Sequence, residues 1–164
     1  MTEKDMYLNT LQREHATTMK ILRQLPSDKA DFKPAPAKTR SAKELASVFV
    51  AEMGLADGAI KGAIDFQSMG GFKPPSTYEE LLTAIESKHK DIVNKVKGMA
   101  EGDFNSKMPF PTGPGQMGEA RKADILWMTL MDSIHHRGQF SIYLRMVGAK
   151  VPSIYGPSAD EPWM

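Results

Sequence analysis

The chain has 164 residues and a formal net charge of +1, from 21 basic and 20 acidic side chains, so it offers no electrostatic surface for a nucleic-acid backbone or an anionic membrane. It contains no cysteine, which excludes disulfides, thiolate metal ligands and a cysteine nucleophile. No apolar run approaches the roughly 20 residues of a membrane span, and the polar N-terminus is not a signal peptide. We therefore expect one domain over residues 1–164, located in the cytoplasm, with no nucleic-acid or membrane partner.

Apolar side chains three and four positions apart predict the first two helices. The first runs over about residues 2–25, and a Pro-containing link follows it. Ser41 and Glu44 form a capping box, in which each side chain accepts a hydrogen bond from the other residue's backbone N–H. This box opens the second helix, which we expect to end near Gly70 and Gly71.

The second half of the chain predicts two more helices. Ser76 and Glu79 form another capping box, and the third helix is expected to end near Gly98. Residues 103–118 are rich in Pro and Gly and carry no hairpin signal, so they are expected to form a crossover loop. The fourth helix is expected over about residues 119–147. Four amphipathic helices predict an all-α protein, a four-helix bundle.

Metal-capable side chains lie on helix faces that otherwise carry apolar residues, where an unpaired charge is costly. Asp132 and His136, four residues apart, share one face of the fourth helix. Glu52 lies on the apolar face of the second helix. One imidazole and two carboxylates suit a divalent ion such as zinc, nickel, iron or manganese. The pattern therefore predicts a metal site formed by Glu52, Asp132 and His136 between these helices.

Three further polar side chains are predicted to line a substrate pocket beside this site. His15 lies on the apolar face of the first helix and could also supply a metal ligand. Gln139 and Tyr143 share the face of the fourth helix that carries the predicted ligands. Their hydrogen-bonding groups would contact a small molecule. His89 has no metal-capable neighbour four residues away and is not assigned to the site.

Each candidate metal ligand also has an interpretation without metal. Asp132 and His136 could form a simple hydrogen-bonded pair. Glu52 could instead pair with Arg137 or Arg145, and the histidine of the first helix could be a hydrogen-bonded core residue. These residues therefore leave two hypotheses open: a metal-dependent enzyme, or a metal-free module that binds a small ligand or a partner chain.

An ordered set of short sequences spans nearly the whole chain. It includes His135-His136-Arg137-Gly138-Gln139, Tyr143-Leu144-Arg145 and Tyr155-Gly156-Pro157-Ser158. This set resembles the DinB-like (damage-inducible) superfamily of four-helix bundles. The resemblance implies a divalent metal held by three histidines, one early in the second helix and two that lie four residues apart in the fourth. It also implies metal-assisted hydrolysis or thiol transfer, and a homodimer formed through helix faces.

Only one of the three implied histidines is present, at His136. Asp132 occupies the position of the other ligand in the fourth helix and could replace it. The ligand of the second helix should fall near Val48, which cannot bind metal. Glu52 lies one turn later on the same face, about 6 Å further along the helix axis at a rise of about 1.5 Å per residue. The resemblance thus implies a metal triad that departs from the family pattern at two of three positions.

Overall fold

The computed structural model describes residues 1–66 and 73–164. In chain order these residues form α1 (Glu3–Leu22), a 3-10 turn (Ser27–Lys29), α2 (Ala42–Lys61), α3 (Tyr78–Gly98), the short α4 (Glu101–Phe104), β1 (Lys107–Gly113), β2 (Gln116–Arg121) and α5 (Lys122–Met146). The fold is therefore mostly helical, with a small antiparallel sheet. Among the described residues, none of the helices is both long and apolar enough to cross a bilayer.

The long helices pack around a shared interior. α1 contacts α3 and α5, and α2 contacts the same two helices from the other side. The apolar side chains form two clusters along the helices, one around Phe49, Leu81 and Phe140, and the other around Phe104 and Leu126. Burial of these side chains is the main term that stabilises the fold.

Local capping chemistry sets the starts of α2 and α3. The capping box of Ser41 and Glu44 is confirmed, since each side chain accepts from the other's backbone N–H. α3 also begins with a capping box, but Thr77 and Glu80 form it, one residue later than predicted. In both helices the side chains satisfy backbone donors that have no partner within the helix.

The prediction of a crossover loop without a hairpin is wrong for the segment that precedes α5. β1 and β2 pair in antiparallel register, with Pro109 opposite Glu119 and Pro111 opposite Met117. Proline counts against a strand because it lacks an N–H, but both strands of a two-stranded sheet are edge strands, where the missing donor can face away from the partner. α5 consequently begins at Lys122, after the second strand ends.

The predicted end of the second helix, near Gly70 and Gly71, lies outside the described residues. α2 itself ends earlier, at Lys61, because Gly62 adopts φ 79° and turns the chain into the left-handed region. The Gly62 backbone N–H donates to the carbonyl of Ala59 and closes the helix. A glycine in this conformation is the commonest way for a helix to end.

Candidate metal site

A polar layer crosses the interior between the two apolar clusters. Along α2, Phe49 belongs to one cluster and Ala56 to the other, and Glu52 lies between them. Along α5 the same gap spans residues 131–139. The predicted ligands all come from these gaps, so the interruption of the apolar pattern marks the site.

Glu52, Asp132 and His136 bring one ligand atom each within 4.8 Å of one another. His136 Nε2 lies 3.4 Å from Asp132 Oδ2 and 3.7 Å from Glu52 Oε1. Both distances exceed the usual N–H···O range of about 2.7–3.2 Å. Ligands about 2.1 Å from a tetrahedral ion lie about 3.4 Å apart. The two spacings to His136 Nε2 are therefore compatible with a group that could hold a divalent ion.

The three side chains differ in their access to solvent. The side chain of Glu52 is 7% exposed and that of His136 is 14% exposed, whereas that of Asp132 is 53% exposed. The group is therefore buried on the α2 side and open on the Asp132 side.

The carboxyl group of Glu52 carries the strongest electrostatic signal. Its Oε2 accepts a hydrogen bond from the hydroxyl of Ser133, while its Oε1 is buried and has no hydrogen-bond partner among the described residues. Burial raises the pKa of Glu52 to about 8; the Ser133 hydrogen bond opposes this shift, and the neighbouring Asp132 carboxylate adds to it. A buried oxygen without a partner is costly. A proton or a cation at Oε1 would remove that cost.

The amide of Gln139 bridges the two adjacent histidines of α5. The amide Nε2 of Gln139 lies 2.8 Å from His135 Nε2, and its Oε1 lies 3.0 Å from His136 Nδ1. In this orientation the amide oxygen accepts a hydrogen bond from an N–H at His136 Nδ1, and the amide nitrogen donates to His135. The neutral tautomer with its proton on Nδ1 carries its lone pair on Nε2, the atom that faces Glu52 and Asp132. This is the tautomer that a ligand binding through Nε2 needs, fixed by a hydrogen bond to the other ring nitrogen.

Replacing Gln139 with alanine should weaken the binding of Zn²⁺ by about 10- to 100-fold, the usual effect of removing the group that orients a histidine ligand. Isothermal titration calorimetry measures this change. Gln139→Glu should retain most of the affinity, because its carboxylate still accepts from His136 Nδ1. Equal affinity for wild type and Gln139→Ala would show that Gln139 does not orient the ring.

His15 is not one of the three clustered residues. Its ring stacks on that of His89, with centroids 3.5 Å apart and planes 2° apart. Burial lowers the pKa of His15 to about 3, with the charges of His89 and Arg23 adding to the shift, and burial lowers the pKa of His89 to about 4. Both rings are therefore neutral near pH 7, and both line a cavity of about 40 Å³ that also reaches Glu52.

The remaining predicted pocket residue, Tyr143, lies apart from the triad. Its hydroxyl donates to the carbonyl of Arg40 at 3.0 Å, and its ring packs against Phe32 and Phe140. Tyr143 is seven residues beyond His136, nearly two helical turns, which carries it out of the polar layer and into an apolar cluster.

The alternative pairing of Glu52 with an arginine is wrong. Arg137 is 1% exposed, and its Nη1 donates to Glu14 Oε2 at 2.9 Å. The Tyr155 hydroxyl accepts from Arg137 Nη2 at 2.6 Å and donates to Glu14, which ties the C-terminal segment to the helices. Arg145 pairs with Asp160 at 2.6 Å, also in that segment.

Three contributors to the site were missed from the sequence. The hydroxyl of Ser133 donates to Glu52, and the ring of His135 contacts the amide of Gln139. The ring of His89 stacks on that of His15. Gln139 follows the two histidines by three and four residues, and this spacing predicts contact between side chains on one helix face. The contacts of Ser133 and His89 join different helices, and spacing within one helix gives no signal for them.

The fold and the triad together define a class of protein: a helical protein with a candidate metal centre of one imidazole and two carboxylates. The family model described as the DinB family matches residues 1–163, and the chain belongs to that family. Among curated protein sequences, none matches the chain.

Two solved structures share the fold. A DinB-like protein from Bacillus subtilis superposes with a TM-score of 0.72 at 18% sequence identity, covering 92% of this chain and 97% of that one. A DinB-like protein from Bacillus cereus superposes with a TM-score of 0.76 at 17% identity, covering 91% of this chain and 95% of that one. At these identities the likeness shows the fold alone.

Proposed function

We propose that this protein is a four-helix bundle that binds one divalent metal ion through Glu52, Asp132 and His136, and that the site catalyses hydrolysis or the transfer of a thiol. The observation that carries the proposal is the convergence of three acceptors in the polar layer. Glu52 Oε1 is buried and has no hydrogen-bond partner within residues 1–66 and 73–164, and His136 Nε2 lies 3.7 Å from it. A divalent cation would satisfy all three groups at once.

The side chains have distinct roles in this proposal. Ser133 holds Glu52 Oε2 and leaves Oε1 for the ion, and Gln139 holds His136 in the ligand tautomer. Asp132 supplies the ligand on the open side, where a substrate would approach. A bound divalent ion acts as a Lewis acid, which lowers the pKa of water or of a thiol and polarises a carbonyl or phosphoryl oxygen.

The direct test is the metal content of protein purified without a histidine tag. We expect about one equivalent of a divalent ion per chain, after purification or after soaking in zinc or nickel. Added metal should also raise the melting temperature by several degrees, because a ligand that binds only the folded state stabilises it. Elemental analysis that finds no metal after soaking would contradict the proposal.

The raised pKa of Glu52 predicts how the affinity for Zn²⁺ depends on pH. Because its pKa is raised to about 8, Glu52 is mostly protonated in the metal-free protein at pH 7 and must lose that proton to bind the ion. Zn²⁺ affinity should therefore rise with pH up to about 8 and then level off as far as Glu52 is concerned. Calorimetry at pH 7 in buffers of different ionisation enthalpy should detect the released proton, and Glu52→Gln should abolish that proton release.

The second candidate function is a metal-free module that binds a small ligand, and the raised pKa of Glu52 favours it. With the carboxyl group of Glu52 protonated, the neighbouring Asp132 carboxylate, whose charge helps to raise the pKa of Glu52, could accept its proton in a hydrogen bond. In that case Asp132→Ala should lower the melting temperature, and added metal should not raise that of the wild type. A metal-dependent rise would count against this candidate.

A further inference from the structure

Two buried polar atoms without a partner belong to side chains that line one cavity. Within residues 1–66 and 73–164, Glu52 Oε1 and His89 Nδ1 are the buried side-chain atoms that form no hydrogen bond. Glu52 and His89 both line the same cavity of about 40 Å³, which is enclosed by residues of α1, α2, α3 and α5. Such atoms are costly and uncommon in folded proteins. Their coincidence at one cavity indicates an occupant that forms hydrogen bonds.

The size of the cavity limits the occupant to very small molecules. A buried water needs roughly 10–15 Å³ of such space, whereas an engineered cavity of about 150 Å³ is large enough for benzene. The cavity of about 40 Å³ therefore has room for about three waters and is too small for an aromatic molecule.

The walls of the cavity offer further hydrogen-bonding groups. Thr129 and Ser133 line it together with His89. The hydroxyl of Thr129 donates to the carbonyl of Leu126, and that of Ser133 donates to Glu52, so both hydroxyl oxygens keep lone pairs for another donor. A buried water typically forms about three hydrogen bonds. His89 Nδ1 and these two hydroxyls are enough to supply them.

The lining of the cavity disfavours an ion as the occupant. No lysine or arginine lines it in the part of the chain that the structure describes, so an anion would have no cationic partner. The carboxylate of Glu14 also lines it but is already paired with Arg137. Among the described residues, no group of three metal-capable side chains includes His15 or His89. A neutral molecule of the size of water is therefore favoured over an anion or a cation.

We infer that this cavity binds a cluster of about two or three ordered water molecules, one of which is held by His89 Nδ1. The waters connect the polar layer of α2 and α5 to the stacked histidines of α1 and α3. In the metal-free protein a water also bonds to Glu52 Oε1. With an ion at the triad, Oε1 binds the ion, and the water on His89 keeps its other partners. The inference goes beyond the proposed function and holds with or without the ion.

Three measurements on the metal-free protein test the inference. A crystal structure at a resolution that shows ordered water gives the density in the cavity, and a second crystal pressurised with xenon shows whether the cavity is dry. Water-oxygen magnetic relaxation dispersion counts long-lived internal waters in solution. It is applied to wild type, His89→Phe and His89→Asn. Phenylalanine keeps a ring beside His15 without Nδ1, whereas asparagine keeps a polar amide near the position of Nδ1 and is the matched control.

We expect density for a water within about 3.2 Å of His89 Nδ1 in wild type. Xenon should not enter the cavity, because xenon binds in dry apolar cavities. His89→Phe should hold fewer long-lived waters than wild type, and His89→Asn should hold at least as many. Uptake of xenon, well-ordered crystals without water density in the cavity, or equal counts in wild type and His89→Phe would overturn the inference. Melting temperatures check that both variants fold, and the wild-type crystals decide the question if His89→Phe does not.

Discussion

Replacing His136 with alanine should reduce Zn²⁺ affinity by more than roughly a hundredfold. Removing a residue that only orients a ligand costs about 10- to 100-fold, and the loss of the ligand itself should cost more. His136 supplies the only nitrogen of the triad, and its Nε2 lies within 3.7 Å of both carboxylate ligand atoms. Without it, two carboxylates remain as ligands, and one of them is largely protonated at neutral pH because the pKa of Glu52 is about 8. Isothermal titration calorimetry at pH 8 gives the comparison.

His135→Ala is the matched control for this experiment. His135 is the adjacent histidine of the same helix, but it is exposed and supplies none of the three ligand atoms; its ring lies 5.3 Å from that of His136, and its Nε2 lies 2.8 Å from the amide nitrogen of Gln139. We expect its replacement to change zinc affinity by no more than about tenfold, the smallest loss that is typical when a residue that orients a metal ligand is removed. Loss of affinity in His135→Ala with normal affinity in His136→Ala would show that the ion binds elsewhere.

Replacing Arg137 with alanine should lower the free energy of unfolding by about 3–5 kcal/mol, since removing one partner of a buried ion pair leaves the other charge buried. The side chains of Arg137 and Glu14 are 2% and 4% exposed. Burial alone would raise the pKa of Glu14, but hydrogen bonds from Tyr155 and Arg137 outweigh it and hold the pKa below its usual value. Urea unfolding followed by circular dichroism measures the change.

Arg145→Ala serves as the control for the buried pair. Arg145 lies on the same helix and also pairs with the C-terminal segment, at Asp160, but its side chain is 48% exposed. Exposed ion pairs contribute little because water and salt screen them. If both alanine variants lowered the free energy of unfolding equally, burial would not explain the contribution of the Arg137–Glu14 pair to stability.

Local chemistry made much of the helical structure predictable. A capping box needs residues only three positions apart, so Ser41 and Glu44 marked the start of α2 correctly. The hairpin of β1 and β2 was not predictable in the same way, because its Pro-rich first strand is tolerated only where strand edges are free. That condition depends on the sheet, which has two strands, and not on the local sequence.

The site was predictable where its contacts run within one helix or along a helix face. Asp132 and His136 share a face because they are four residues apart, and the structure places their ligand atoms 3.4 Å apart. The placement of Glu52 beside them required the additional expectation that α2 packs against α5. The contacts of Ser133 with Glu52 and of His15 with His89 depend on the rotation of each helix about its axis, which an apolar stripe defines only coarsely.

The contacts of Gln139 could not be predicted from the sequence for a different reason. Its position on the helix face of the ligands predicted a contact with a substrate, which stays a prediction; the structure shows that its amide joins the two histidines. The spacing was visible, whereas the choice between a substrate contact and a ligand contact depends on the rotamer. A side chain that fixes a ligand tautomer and one that binds substrate look alike in a sequence.

The most direct measurement is anomalous X-ray diffraction from wild-type crystals soaked in zinc, collected at the zinc absorption edge. Zinc binding at the proposed site predicts one strong anomalous peak about 2.1 Å from Glu52 Oε1, Asp132 Oδ2 and His136 Nε2, the usual length of zinc bonds to oxygen and nitrogen. A peak bound only by other side chains, or no peak in crystals that diffract well, would contradict it.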